Sequence, residues 1–185
     1  QIGSQITDGR YDPSDIWSQQ AYNYNGLQAL GHCCNPLNNS GQTPPETTIG
    51  LATDGAFAGS DILGFHNQYP YLAGHFNYIY VDGTPGCCDD ETTLDLEWSL
   101  ATSNSRGSYV DTAFIWVYEA AEGFGDFGTL FQQMVNDNYI RVVNISYGLP
   151  EYWFLDNAPS LLSSWHSIFN QMIGQGWTCL LYTSP

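Results

Sequence analysis

The sequence predicts an α/β fold, a parallel sheet with flanking helices, and three observations carry that prediction. Short runs rich in β-branched and aromatic residues alternate along the chain with segments of helical periodicity. Two of the runs, 114–118 and 140–146, read as strands buried on both faces, which is how strands of a parallel sheet are covered. The 185 residues are enough for one domain with a sizeable core. Strand–helix–strand units of this kind connect by right-handed crossovers.

Taken in order, residues 1–46 open with a short helix over 14–22 and continue as a polar Asn/Gly/Pro loop through Pro45. A strand follows over 49–52, a short helix over 60–69, and a second strand over 76–81 with its Tyr and Ile residues. The next helix covers 91–100, and the apolar run 114–118 is the third strand. A helix over 127–136, a strand over 140–146 and a helix over 158–173 complete the pattern, the last with Pro159 near its start and Gly174 just past its end. No repeat or low-complexity segment interrupts it. No run of about 20 apolar residues exists that could span a membrane.

The helix over 91–100 carries the most specific chemistry. Asp89 and Asp90 are good N-caps after the loop of Gly86, Cys87 and Cys88, and acidic residues in a first turn are favoured by the helix dipole. At about 100° per residue, Leu94, Trp98 and Ala101 fall on one apolar stripe, with Glu91 and Asp95 at its shoulder. Glu91 and Asp95 are one turn apart and can touch. Such pairs most often form a solvated surface patch. Half desolvated, however, two carboxylates cannot both ionise easily, so one pKa rises and the pair shares a proton, as a general base working in acid requires. Glu97 points elsewhere around the helix, towards solvent or a neighbouring loop.

Composition agrees with acid chemistry. Lys and Arg total 3 against 19 Asp and Glu, and the formal net charge is -16 at pH 7. That charge falls towards zero near the isoelectric point of about 4.1. At neutral pH the chain repels nucleic acid and anionic membranes, which excludes both as partners. Charged residues are 12% of the chain while aromatics reach 15%. The surface is therefore covered largely by Asn, Gln, Ser, Thr, Tyr and Gly, as on extracellular proteins. Gln1 in place of Met, with no signal peptide, indicates an N-terminus that has been cut.

Cys33, Cys34, Cys87 and Cys88 form two adjacent pairs in Gly/Pro/Asn-rich loops. An even count in such loops favours disulfides. Adjacent cysteines seldom bridge to each other, so two bonds tying the first loop to the second are expected. The alternative is a four-thiolate zinc site, whose usual spacing separates paired cysteines by about two to four residues. The four histidines, His32, His66, His75 and His166, show no HExxH spacing. The nearest approach to a nucleophile elbow, the segment from Asn144 to Gly148, lacks the first glycine, so Ser146 is expected to be a strand-end residue. Asn38 and Asn144 match the glycosylation pattern, the second within a predicted buried strand.

Several blocks agree in order and spacing with one known family. The stretch from Glu91 through Asp95 to Glu97, the strand over 111–118 and the segment over 142–151 resemble the sedolisin (serine-carboxyl peptidase) family. Residues 13–23 are similar to the segment that opens its mature catalytic domain, and 48–55 to its first core strand. The resemblance implies a subtilisin-like parallel sheet and a Ser nucleophile, a Glu general base, an Asp orienting that Glu, and a second Asp at the oxyanion hole. By motif position Glu91 is the base and Asp95 its orienter. Ser146, Tyr147 and Gly148 fall where the family lines its substrate cleft and are expected to hold substrate backbone by strand-like pairing. Some members carry a Trp where Tyr147 stands and a further Glu near Thr53, so this chain departs from the extended acid network.

The family's oxyanion Asp and nucleophilic Ser belong to Ser-Gly-Asp and Gly-Thr-Ser segments that residues 1–185 do not contain. Residues 1–178 are accordingly read as the N-terminal portion of a catalytic domain truncated on its C-terminal side, inactive alone, and 179–185 as a non-native, adapter-derived tail. The resemblance further implies protein or peptide substrates, secretion, a possible propeptide, and no cofactor in this fragment, with calcium in the missing C-terminal part. The alternative from another class is a non-catalytic extracellular binding domain or inactive homologue on the same fold, with Trp17, Tyr69, Tyr71 and Trp153 as its contact surface.

Overall fold

The computed structural model describes residue 13 and residues 48–69, 75–103, 114–121 and 127–181. Its elements are β1 (Thr48–Thr53), α1 (Gly59–Gln68), β2 (His75–Val81), α2 (Asp90–Ser103), β3 (Phe114–Ala120), α3 (Phe127–Asp137), β4 (Val142–Ile145), α4 (Glu151–Asn157), α5 (Pro159–Gly174) and β5 (Thr178–Leu181). The strands form one sheet in the order β2-β3-β1-β4-β5. Every pairing is parallel, so all C-terminal strand ends lie along one edge. The predicted α/β sheet with flanking helices is the fold observed.

Alternation along the strands builds a core on each face of the sheet. On one face Leu51, Ile115 and Val117 meet Ile62 of α1 and Leu96 and Leu100 of α2. On the other, Ala52, Tyr118, Val143 and Ile145 meet Phe127, Phe131 and Met134 of α3 and Trp165, Ile168 and Met172 of α5. Asn144, between Val143 and Ile145, is thereby turned towards the α2 face, where an apolar side chain would otherwise sit.

The structure corrects the predicted face of α2. Its buried residues are Thr92, Thr93, Leu96, Leu100, Ala101 and Ser103, whereas Leu94 is 46% exposed. Leu96 and Leu100 stand one turn apart on the side that docks against Leu51 and Val117, and Leu94 lies roughly opposite Leu96 around the helix. The strand expected over 140–146 is shorter, Val142–Ile145, and Ile140 ahead of it packs against Gly50 of β1, where a Cβ would collide with it. The third strand runs on to Ala120 and so includes Glu119. Helix α4, entered through Pro150, was not predicted.

Cys87 and Cys88 meet across a cis peptide, with their Cα atoms 3.1 Å apart and their sulfurs in contact. The expected bonds from the first loop to the second involve Cys33 and Cys34. Cys33 and Cys34, the helix over 14–22, Trp17 and Tyr71 lie outside the described residues. Tyr69 is not a surface aromatic but is buried beside Ala101 and Phe65. Residues 179–181 of the predicted tail take part in β5, which pairs with β4.

Candidate active site

The site forms where the N-terminus of α2 meets the C-terminal edge of the sheet, the edge at which open parallel sheets carry their ligands. The loop leaving β1 is stitched to the loop entering α2: the Ala56 amide donates to the Gly86 carbonyl (3.1 Å) and the Asp89 amide to the Ala56 carbonyl (2.8 Å). Gly55 makes that approach possible. Its φ is +130°, and a Cβ there would lie 2.9 Å from the Asp89 Cβ.

Asp89 is thus seated as the N-cap of α2. Its Oδ2 accepts from the Thr92 amide (2.7 Å) and the Thr92 hydroxyl (2.7 Å). It also accepts a hydrogen bond from the Tyr147 hydroxyl. Burial alone would raise the Asp89 carboxyl, but these donors outweigh it and hold it below the ordinary carboxylate range. Tyr147 is raised in turn, by burial first and then by its bond to Asp89, so it stays a neutral donor.

One turn into the helix stands Asp95. The Ser146 hydroxyl donates to its Oδ1 (2.9 Å) and the Asn144 amide to its Oδ2 (3.2 Å), while Asn144 and Ser146 are 3.0 Å apart. Burial pushes the Asp95 carboxyl up to about 6, opposed by the Ser146 and Asn144 bonds and reinforced by the charges of Glu91 and Asp89. Glu91, half-buried, therefore acts on Asp95 through its charge. In mild acid the pair holds a neutral carboxylic acid beside a second carboxyl, an arrangement suited to sharing and moving one proton.

This architecture has a counterpart among solved structures. The chain resembles Pseudomonas sedolisin, a serine-carboxyl proteinase solved with two molecules of pseudo-iodotyrostatin, with a TM-score of 0.60 and 22% identity. The match covers 79% of this chain and 42% of that one, so the chain spans less than half the neighbour's length. At that identity the likeness is one of fold. No family model matches the chain, and neither does any curated protein.

Of the residues the sequence singled out, Asp95, Ser146 and Tyr147 meet in this network, and Glu91 adjoins it. Gly148 sits apart from the acids, on the wall of a cavity of about 300 Å³ that Tyr147 also lines. Asn144 is bound to Asp95 and Ser146 inside the site rather than presented for glycosylation. Glu97 lies near Asp61 of α1 and is raised by partial burial and that neighbouring charge.

Sequence reasoning missed two members of the network, since it reads Asp89 as a cap only and Asn144 as a strand residue, and it does not single out Glu119, a separate buried carboxyl. Glu119 is fully buried at the end of β3, where its Oε1 accepts from the Phe57 amide (3.3 Å) and its Oε2 has no hydrogen-bond partner among the described residues. Burial raises it to about 7, against the pull of the Phe57 bond. A carboxylate inside an otherwise apolar strand was the available signal. Among the described residues no group of three or more His, Cys, Asp or Glu is arranged to hold a metal ion.

Proposed function

We propose that the chain supplies the acid half of a serine-carboxyl peptidase site that hydrolyses protein or peptide substrates in acid. The observation that carries this is Asp95, half-buried and held by Ser146 and Asn144, with Glu91 one turn away at the ligand-bearing edge of the sheet. The likeness of fold to a serine-carboxyl proteinase supports it. On this reading Glu91 takes the proton from a serine supplied from outside residues 1–185 as that serine attacks the peptide carbonyl. Asp95 keeps its own proton in acid and donates it towards Glu91, holding Glu91 in position and preserving one negative charge in the pair. Ser146 and Asn144 fix the Asp95 rotamer, and the segment 146–148 receives substrate backbone. Secretion and a propeptide belong to the same proposal.

The test is made in a complete domain assayed on casein at about pH 4. Glu91→Gln or Asp95→Asn should each lower kcat by roughly three orders of magnitude, as removal of a general base or its orienter does elsewhere, with unchanged circular dichroism. Near wild-type turnover in either variant would sink the assignment. Tyr152, Trp153 and Leu155, exposed together on α4, favour a second reading as a non-catalytic binding surface. That reading requires Trp153→Ala to abolish partner binding in a chain that never cleaves.

A further inference from the structure

The loop that leaves β1, residues 54–58, is held on two sides. On one side it carries α2. The Gly55 carbonyl accepts from the Thr92 hydroxyl (3.2 Å), Ala56 pairs through its backbone with Gly86 and Asp89, and the Ala58 amide donates to the Thr93 hydroxyl (3.1 Å). The loop thus fixes where α2 begins, and with it the placement of Glu91 and Asp95. On the other side lies Glu119, between Thr53 of β1 and Tyr80 of β2 in the register of the sheet. The Phe57 amide is the one donor this carboxyl has among the described residues, on Oε1 at 3.3 Å. The Phe57 ring packs edge-on against Phe76 and Tyr78 of β2, with centroids 5.5 and 5.7 Å away.

A buried carboxyl with one donor and one orphan oxygen suits the neutral acid and penalises the anion. The titratable groups on the elements around it are Asp54 of the loop, Asp61 of α1, Tyr78, Tyr80 and Asp82 at the end of β2, and the acids that open α2. Each adds only negative charge when it ionises. Tyr80 is itself raised, by desolvation first and then by the charge of Glu119. Arg141, the one Lys or Arg among the described residues, is bound to Asn138 at the opposite edge of the sheet, where its amide meets the Thr48 carbonyl. His66 stands in the last turn of α1, away from the loop at its start. Tyr78 and Tyr80 are 46% and 45% exposed, so lifting the loop beside them is the short route by which water reaches an ionised Glu119.

We infer that Glu119 is a proton-operated latch on the loop 54–58: protonated, it holds the loop and α2 in place, and ionised, it lets the loop lift and unseats the acids. Glu119 is a positioning residue, acting on Glu91 and Asp95 through the loop. As to proteolysis the inference rests on the peptidase reading. The latch itself does not. With the carboxyl raised by burial to about 7 from an ordinary 4.5, the closed state binds the extra proton between those values. Closure therefore weakens as pH rises through that window and changes no further above it.

The test is hydrogen exchange of the chain itself, read at the amides of Ala56, Phe57, Ala58 and Asp89, each of which makes one of these bonds. Corrected for the intrinsic rate, their protection should fall at least roughly 50-fold from pH 5 to pH 8, as the closed and open pKa values of Glu119 require. Local opening exposes little surface, so this exchange should ignore urea below the unfolding transition, whereas exchange at Ile168 and Met172 in α5 should follow it. Glu119→Gln, isosteric and uncharged, should cut the fall to about tenfold or less, the part left to Asp95. Glu119→Met serves if the first variant does not fold, and the wild-type exchange decides the matter without either. Loop protection independent of pH, a fall that survives the substitution, or loop exchange that tracks urea as α5 does would overturn the latch. In a complete domain the two proposals separate: a working latch in a protein that cleaves no casein removes the peptidase reading alone, and cleavage in acid with pH-independent loop protection removes the latch alone.

Discussion

Asp89 and Asp95 sit on the same end of one helix, both held by residues of the C-terminal end of β4 and the segment just past it, yet their carboxyls move in opposite directions. Asp89 accepts from the Thr92 amide, the Thr92 hydroxyl and the Tyr147 hydroxyl, and is held below its usual range. Asp95 accepts only from Ser146 and Asn144, feels the charges of Glu91 and Asp89, and rises to about 6. Glu119 extends the series, with the single Phe57 donor and a carboxyl raised to about 7. Burial penalises all three, Asp89 the least. Depth of burial and the number of donors offered to the anion together decide which stays ionised, so one helix end and one strand edge hold a fixed anion beside a titrating acid.

The largest effect in this series belongs to its least satisfied member. Glu119 has a folded-state pKa of about 7 against an ordinary value of 4.5. The folded state therefore binds more protons across that window, and stability falls as pH rises through it. Its contribution is fully present below about 4.5 and lost above 7, an effect of about 3 kcal/mol. Asp95 acts in the same sense between 3.8 and about 6. Urea unfolding of the chain should give greater stability at pH 5 than at pH 8. Glu119→Gln should flatten most of that slope, and a slope unchanged by the substitution would break the series at its extreme point.

Asp89 has the opposite sign. Its lowered pKa means that its contribution is present above its unfolded value and is lost as pH falls through the folded one. Asp89→Ala removes the α2 cap and leaves the buried Tyr147 hydroxyl short of its acceptor, together about 2 kcal/mol at pH 7. The loss should shrink in strong acid, where wild-type Asp89 is itself protonated. A loss independent of pH would mean that Asp89 contributes as a neutral cap and that the contrast with Asp95 is false.

Much of this was legible in the sequence, and the rest was hidden for definite reasons. Strand and helix order followed from period and punctuation, because β1, β3 and α5 obey local rules that tertiary packing did not override. The Glu91 and Asp95 spacing was legible for the same reason, being set by the helix alone. The facing of α2 was not. Leu94, Leu96 and Leu100 cannot all point inward, and only the position of Leu51 and Val117 on the sheet selects between them. The cysteine pairing depends on which loops the fold brings together, which composition does not encode, and Cys33 and Cys34 lie outside the described residues. Asn144 and Tyr147 lie far along the chain from their acid partners, so no local pattern could pair them with α2.

The smallest predicted effect tests the donor rule at Asp95 without disturbing the fold. Ser146→Ala deletes the hydroxyl that donates to Oδ1 at 2.9 Å and leaves Asn144 in place on Oδ2. The anion of Asp95 loses one of its two donors while its burial and its charged neighbours persist. Its titration should then move upward from about 6 by about one pH unit, the worth of a single modest hydrogen bond to a carboxylate. Asp89, whose donors are Thr92 and Tyr147, should not move. Side-chain carboxyl NMR of both residues in the same sample reads the contrast directly. If Asp95 stays at its wild-type midpoint, donor count is not what separates the two acids, and the proton assigned to Asp95 in the proposed dyad must be held there by burial and neighbouring charge alone.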